Sequence, residues 1–405
     1  MKVLVMNAGS SSQKSCVYDL SSEMPADPPP PLWEGMIDWT AKSGIATIKV
    51  KAQGIVLQRQ IESTSRTEVT REILNTLWQG ETQVLQSAQD IDVVGHRVVH
   101  GGDVYRDSCR ITTDVKAKID QFARFAPIHN PITLDGIHTI EAILGETIPQ
   151  VAVFDTAFHA TLPPAAYTYP GPHAWLDEGI RRYGFHGTSH RYCAERVAYL
   201  LGRELAELRL ITCHLGNGAS LTAIRNGESI DTTMGFTPLE GLMMGTRSGS
   251  VDPGILMYLM HHHGYQAKDL DTVLNKSSGL LGLSGVSADV RQILAAIAEG
   301  NTRAQLALDV YIHRLRSHIG AMLMSLQGLD VLIFTAGVGE NAPLIRQAAC
   351  ESLGFLGVQL DPEKNAHGSG DQMISTPDST VQVWVIHTQE DWMIAKQCWQ
   401  VLHAE

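Results

Sequence analysis

Three glycine-rich strings in this chain combine free backbone amides with side chains suited to anions. NAGSSSQK, residues 7 to 14, carries hydroxyls at Ser10, Ser11 and Ser12 and a cation at Lys14. By composition it is a phosphate cradle, although an ordinary hairpin turn has the same make-up. HLGNGAS, residues 214 to 220, sets Asn217 between Gly216 and Gly218, so its backbone can approach a ligand closely, or simply turn tightly. In VLIFTAGVGENAPLIRQAA, residues 331 to 349, a strand runs into a glycine turn, and Asn341 is predicted at a helix N-cap. Such a helix start favours negative charge, with a purely structural cap as the competing account. No G-x-x-x-x-G-K occurs, and Gly337-x-Gly339 lacks a third glycine, so neither a P-loop nor a dinucleotide fingerprint is present.

Around these strings stand groups that handle phosphoryl charge. Arg97 in GHRVVHGG and Arg247 in MMGTRSGSVDPG sit beside glycines with few neighbouring charges, as expected of guanidiniums that await an anion; a structural ion pair is the even alternative. Asp155 and Glu390 each follow an apolar run, and carboxylates at strand ends are the oxygen ligands Mg²⁺ prefers. His129 in APIHNP and His186 in YGFHGTSH could donate to phosphoryl oxygens, though singly each reads as structural.

The elements that must position these residues follow from pattern. KVLVM and SCVYDL flank the first loop as a hairpin, and LRLITC and LTAIRNG, with the Asn226-Gly227 turn signal, flank the second, so one motif is used twice. Pro28 to Pro31 lack backbone donors and form a surface loop, after which residues 33 to 62 alternate as ribbon strands. VAVF, VLIF and VWVI end in polar or glycine-rich loops, where ligands of α/β folds gather, and helical patterns such as Thr302 to Leu326 and Pro343 to Leu353 alternate with them. The class is α/β with mixed sheets, and the expected domains are 1–154, with the tail 390–405 returning to it, and 155–389.

The 405 residues exceed one ordinary core, and 44% hydrophobic with 18% charged residues is a globular balance. A net charge of -12 without basic clusters argues against nucleic acid. The four apolar residues Val3 to Met6 are too few for a signal sequence, and no run of about 18 apolar residues marks a membrane span, so a cytoplasmic location and no membrane partner are expected. Cys193 and Cys213 are 20 positions apart and no two cysteines lie closer, which leaves no paired zinc spacing and points to buried reduced thiols. His261 to His263 suit the end of a helix that begins in the apolar stretch Ile255 to Met260.

Taken in order, NAGSSSQK, GHRVVHGG, APIHNP, VFDTAFH, YGFHGTSH, CHLGNGAS, GTRSGSVDPG, FTAGVGEN and VIHTQEDWMIA resemble the acetokinase family across almost the whole chain. The resemblance implies a two-domain actin, sugar kinase and Hsp70-like fold with a duplicated mixed-sheet core and an interdomain cleft. It implies Mg²⁺, or Mn²⁺ in its place, at Asp155 and Glu390 with Asn7. Ser10, Ser12 and Lys14 would line the phosphoryl side, and His214, Asn217, Gly218, Asp289, Arg291, Gly337 and Asn341 would meet ATP or ADP. Arg97, Arg247, His186 and His129, with Asp155, would be catalytic. Val99, Ile128, Phe185 and Pro238 would hold the acid's alkyl group. A homodimer is also implied. Two departures stand out: His387 where the family usually carries proline, and a longer proline loop.

A carboxylate is already a nucleophile, so the implied reaction, acetate plus ATP giving acetyl phosphate plus ADP, requires positioning and charge rather than a base. Propionate or butyrate kinase is the rival within the class. A non-catalytic nucleotide switch is the rival outside it, and it has no use for Arg97 and Arg247. In an extended segment Val99 shares a face with Arg97, so it is expected to limit the size of the acid.

Overall fold

The computed structural model describes every residue except Ser10, Ser11, Ser22, Ser43, Ile128, Ser369 and Glu405, and only the backbone of Ala41 and Lys42. The chain forms two compact units, Met1–Ala157 with Gln389–Glu405, and Phe158–Thr388.

In the first unit the opening hairpin pairs β1 (Lys2–Ala8) with β2 (Ser12–Asp19) in antiparallel register, and the ribbon continues through β3 (Trp33–Lys42), β4 (Ile45–Ala52) and β5 (Ile55–Glu62). On its other side β1 runs parallel to β6 (Val93–Val98); β7 (Cys109–Arg110) pairs antiparallel with β8 (Gln150–Phe154), which runs parallel to β6, giving the order β5-β4-β3-β2-β1-β6-β8-β7. Alternation along β4 buries Ala46, Ile48, Val50 and Ala52 and leaves the intervening residues wetter, as a one-sided sheet requires. That face packs Leu4, Trp33 and Ile37 against Val69, Ile73 and Leu77 in and after helix Arg66–Asn75.

Helix Glu390–His403 lies on β1 and β6. Its close approach depends on Gly95, where a Cβ would come within 2.5 Å of Cys398 Sγ and 2.7 Å of Ile394 Cγ2. No side chain fits there.

The second unit repeats the plan. β9 (Arg209–Leu215) and β10 (Ala219–Arg225) form a hairpin extended by β11 (Glu228–Thr232), while β12 (Val331–Thr335) and β14 (Gln382–Val385) run parallel beyond β9 and β13 (Gln372–Met373) closes the edge. Thus β3-β2-β1-β6-β8 and β11-β10-β9-β12-β14 share strand order and sense. Asn226 and Gly227 both have positive φ, 55° and 78°, in the tight turn their types announce. Helix Thr302–Leu326 is capped by Asn301, whose side chain accepts from the Ala304 N–H at 3.0 Å. Its buried stripe, Ala304, Ala307, Leu308, Tyr311, Leu315, Ile319, Met322 and Leu326, keeps the helical period and covers β9, β10 and β11.

The glycine turn expected after β12 is instead helix Ala336–Asn341, followed by helix Pro343–Glu351. Asn341 is the last residue of the first of these, not an N-cap; its side-chain amide donates to Gly337 O at 2.9 Å, and Thr335 and Ala342 occupy the two N-cap positions.

His96 on β6 has a consequence for stability. The ring is 2% exposed, with Nε2 2.6 Å from Gln150 Oε1, and burial pushes its pKa down to about 4 despite that contact. The unfolded chain, with the ordinary value 6.5, therefore binds more protons between these values. Stability is full above pH 6.5 and falls as the pH drops towards 4, by about 3 kcal/mol from this residue. His96→Gln is expected to flatten the urea-unfolding midpoint of the first unit between pH 7 and 4.5; parallel wild-type and variant curves would refute the assignment.

Candidate active site

Parallel pairing brings together two of the predicted charges. Arg97 on β6 is register partner to Val153 on β8, and Asp155, two residues on, extends the ladder by donating its N–H to Val98 O at 2.9 Å. Residues two apart share a face, so the two side chains meet. Arg97 Nε lies 3.0 Å and Nη2 2.5 Å from Asp155 Oδ2. The guanidinium that its sequence neighbourhood leaves without a partner is therefore paired, across 58 residues of chain. The Asp155 side chain is 1% exposed. Burial alone would lower the pKa of Arg97, but attraction and hydrogen bonding to Asp155 outweigh it and hold the guanidinium charged. With Nε and Nη2 facing Asp155, Nη1 is the edge that can meet another anion.

The backbone around Arg97 is clamped from helix Asn130–Leu144. Thr133 Oγ1 donates to Arg97 O at 3.3 Å. The fully buried Asn130 side chain accepts from His100 N at 3.2 Å and donates to His100 O at 3.1 Å. Asn130 was not among the predicted residues, although an asparagine inside APIHNP with a buried destination was its signal. His129 occupies the N-cap position without a side-chain cap bond. Val99 is buried just past the end of β6, so strand alternation stops short of it.

Glu390 opens helix Glu390–His403 within the electrostatic reach of this pair. Its carboxyl is pushed up to about 7, by desolvation first and by Asp155 and Asp391 next, against the pull of Arg97 and Lys14. Asn7 Nδ2 donates to Asp391 Oδ1 at 2.8 Å, which leaves the Asn7 carbonyl oxygen as an acceptor, and Lys14 is the register partner of Asn7. Among the described residues no three His, Cys, Asp or Glu side chains form a ready metal cage. Mg²⁺ needs none, since it takes one or two carboxylates and completes its shell with water and substrate phosphates. Crowded hard oxygens beside a single paired guanidinium fit that ion.

The second unit carries most of the remaining predicted residues. In the loop from β9 to β10, Gly216 N donates to Gly218 O at 2.9 Å and Gly245 N donates to Asn217 O at 3.2 Å. A Cβ at Gly216 would reach Ala336, one at Gly245 would strike Asn217 and Ala288, and one at Gly218 would lie 3.4 Å from Arg247 Nη1 and 3.5 Å from His186 Nε2. The loop is therefore enclosed by the segments that carry Gly337, Asp289, Arg247 and His186. Arg247 Nη1 donates to Pro238 O at 3.1 Å. The rings of His186 and His214 stack with centroids 4.2 Å apart, and the neighbouring Phe185 is buried.

Asp289 caps helix Val290–Ala298 and pairs with the exposed Arg291. Beyond β14, Glu340 accepts from Thr388 N at 2.9 Å and meets His387 Nδ1 at 2.6 Å, so the histidine at the unusual position ties the end of this unit to helix Ala336–Asn341. Ser12 begins β2, whereas Ser10 and Ile128 lie outside the described residues.

The acetokinase family model matches residues 2–396. An acetate kinase of Gloeobacter violaceus is 63% identical over 99% of this chain and 100% of its own length. Among solved structures, the acetate kinase of Porphyromonas gingivalis superposes with a TM-score of 0.91 at 42% identity, covering 99% of both chains, and a propionate kinase of Francisella tularensis with 0.88 at 36%, covering 98% of both.

Proposed function

This chain belongs to the acetokinase family and is a kinase that phosphorylates acetate from ATP, and from that premise we propose how its residues divide the reaction. A carboxylate oxygen of acetate attacks the γ-phosphorus, the bond from phosphorus to the bridging oxygen breaks, and ADP leaves with the electron pair. The acceptor is already anionic, so no base is required; alignment and charge are. Arg97 turns its Nη1 edge to the acid or the moving phosphoryl group, and Arg247 approaches that group from the nucleotide loop. His186 and His129 donate to its oxygens. Ser10, Ser12 and Lys14 hold phosphate from the first loop, while His214, Asn217, Gly218, Asp289, Arg291, Gly337 and Asn341 hold the nucleotide. The first unit, Met1–Ala157 with Gln389–Glu405, carries the acid side, and Phe158–Thr388 the nucleotide side; Asp155, three residues before that boundary, stays with Arg97 and not with the 155–389 segment. The observation that carries this division is the Arg97–Asp155 pair, a cation fixed in place with one donor edge to spare.

Asp155, Glu390 and the Asn7 carbonyl would hold Mg²⁺, or Mn²⁺, which when bound supplies positive charge to the phosphate oxygens. Asp155 would meet the ion while keeping Arg97, since a carboxylate has about four lone-pair sites. The chain works as a homodimer, and helix Pro253–His263 supports that reading: none of its residues is buried, and Ile255, Met257 and Tyr258 are about half exposed. The cytoplasm suits its free cysteines, five of them buried.

Hydroxylamine trapping with MgATP should give acyl hydroxamate from acetate ahead of propionate and butyrate. Arg97→Ala and Arg247→Ala should each lower kcat by about 10²- to 10³-fold, with a smaller change in KM for ATP. Near-normal turnover in either variant would remove that arginine from the reaction.

Trimming Val99 to alanine should make room for one methylene beside the carboxylate. Such a group is worth about 1 to 3 kcal/mol, so the acetate-to-propionate ratio of kcat/KM is expected to fall roughly tenfold or more. An unmoved ratio would assign the size limit elsewhere.

The dimer is tested by charge on the exposed helix. Met257→Asp should halve the mass measured by sedimentation at micromolar concentration. A variant that remains dimeric, or a wild type already monomeric, would refute this interface.

A further inference from the structure

His186 is held unusually. It occupies the N-cap of helix Gly187–Leu201 with φ 57° and ψ 24°, a left-handed conformation rare for a residue with a side chain. His190, one turn on, reaches the same face. Both rings meet the sheet where Thr222 and Ser220 on β10 are register partners of Thr212 and His214 on β9. Ser220 Oγ lies 2.9 Å from His186 Nδ1 and 2.7 Å from His190 Nε2, and His190 Nδ1 lies 2.6 Å from Thr212 Oγ1. Thr212, His190 and Ser220 have no solvent exposure.

Counting protons gives this chain a direction. A hydroxyl has one proton to donate, and so has a neutral imidazole. His190 is neutral, because burial first, and its neighbours His159 and His214 next, push its pKa well below the ordinary value. The other acceptor open to Thr212, Thr222 O, is 3.5 Å away, at the limit of a hydrogen bond, so the Thr212 proton goes to His190 Nδ1. His190 then carries its own proton on Nε2 and donates it to Ser220 Oγ. Ser220 in turn donates to His186 Nδ1, which leaves the His186 proton on Nε2. That nitrogen lies on the Gly218 side of the ring, where a Cβ at Gly218 would meet it at 3.5 Å and Arg247 Nη1 at 3.4 Å. The stacked His214 ring, itself 2.8 Å from Ser189 Oγ through Nδ1, keeps His186 from swinging aside.

We propose that Thr212, His190 and Ser220 form a buried hydrogen-bond relay that locks His186 as the Nε2–H tautomer, the form in which that nitrogen donates. They are positioning residues; no proton leaves the relay, and no bond is made or broken in it. The inference rests on the donor role given to His186 above, and it deepens that role. The Thr212 hydroxyl, on the strand paired with that of Ser220, thereby decides which ring nitrogen carries the proton.

The test joins spectroscopy to kinetics. In ¹⁵N-histidine spectra at pH 8, with the His186 signals identified by their loss in His186→Ala, the wild type should show a protonated Nε2 and a bare, hydrogen-bonded Nδ1. A proton on Nδ1 would overturn the proposal, and this measurement does not depend on the relay variants. His186→Ala should lose about a hundredfold or more in kcat, and Ser220→Ala roughly tenfold with both KM values within about twofold, as expected for a weakened donor. The near-isosteric Thr212→Val should shift the His190 signals and lower kcat in the same sense. If His186→Ala is slow while Ser220→Ala and Thr212→Val turn over normally, the relay falls and the role of His186 stands. A His186→Ala enzyme at full rate would overturn both.

Discussion

A carboxylate shut away from water at the end of β8 persists only if a cation meets it, and Arg97 is that cation. Removing either partner from such a pair leaves an uncompensated charge, so the rest of the first unit is arranged to keep both in register. β6 and β8 run parallel with Arg97 opposite Val153, and the Asp155 N–H continues the ladder to Val98. Helix Asn130–Leu144 then fastens the backbone carbonyl of Arg97 and both polar groups of His100. Glu390 and Asp391 come into reach because Gly95 lets helix Glu390–His403 settle onto the sheet. Arg97 and Lys14 both act on this group of carboxylates, and burial still pushes the Glu390 carboxyl up to about 7.

The second unit treats charge differently. Its predicted site is built largely from neutral donors, backbone amides of a glycine loop, imidazoles and hydroxyls, with Arg247 and the Asp289-paired Arg291 as cations among them. Buried imidazoles are costly to protonate, so hydroxyls on the adjoining strands satisfy them. The loop glycines admit no Cβ at Gly245 because the Asn217 and Ala288 atoms already fill that space. One sheet plan thus serves two chemistries, with ionic groups at the strand ends of one unit and hydrogen-bond donors at those of the other.

What the sequence determined by itself was local. Hairpins announced by Asn-Gly and by polar loops, the proline segment and the 25-residue helix Thr302–Leu326 are all legible, because turn chemistry and a 3.6-residue period act between near neighbours. The ordered motifs also named the family, and with it the residues to look for. The error at Asn341 marks where local reasoning stops. Glycines in GVGEN argue for a turn, yet the segment is helical, and its start is held by Thr388, whose hydroxyl accepts from Ala336 N at 2.8 Å from 52 residues away.

Only the tertiary structure decided who pairs with whom. Arg97 looks unpaired in its own string and meets Asp155; Asn7 meets Asp391 across 384 residues. Ser220, His190 and Thr212 are unremarkable in sequence until two strands and a helix end bring them into one chain. The physical reason is that a side chain's charge state and hydrogen bonds depend on atoms within about 3 Å, and strand adjacency chooses those atoms.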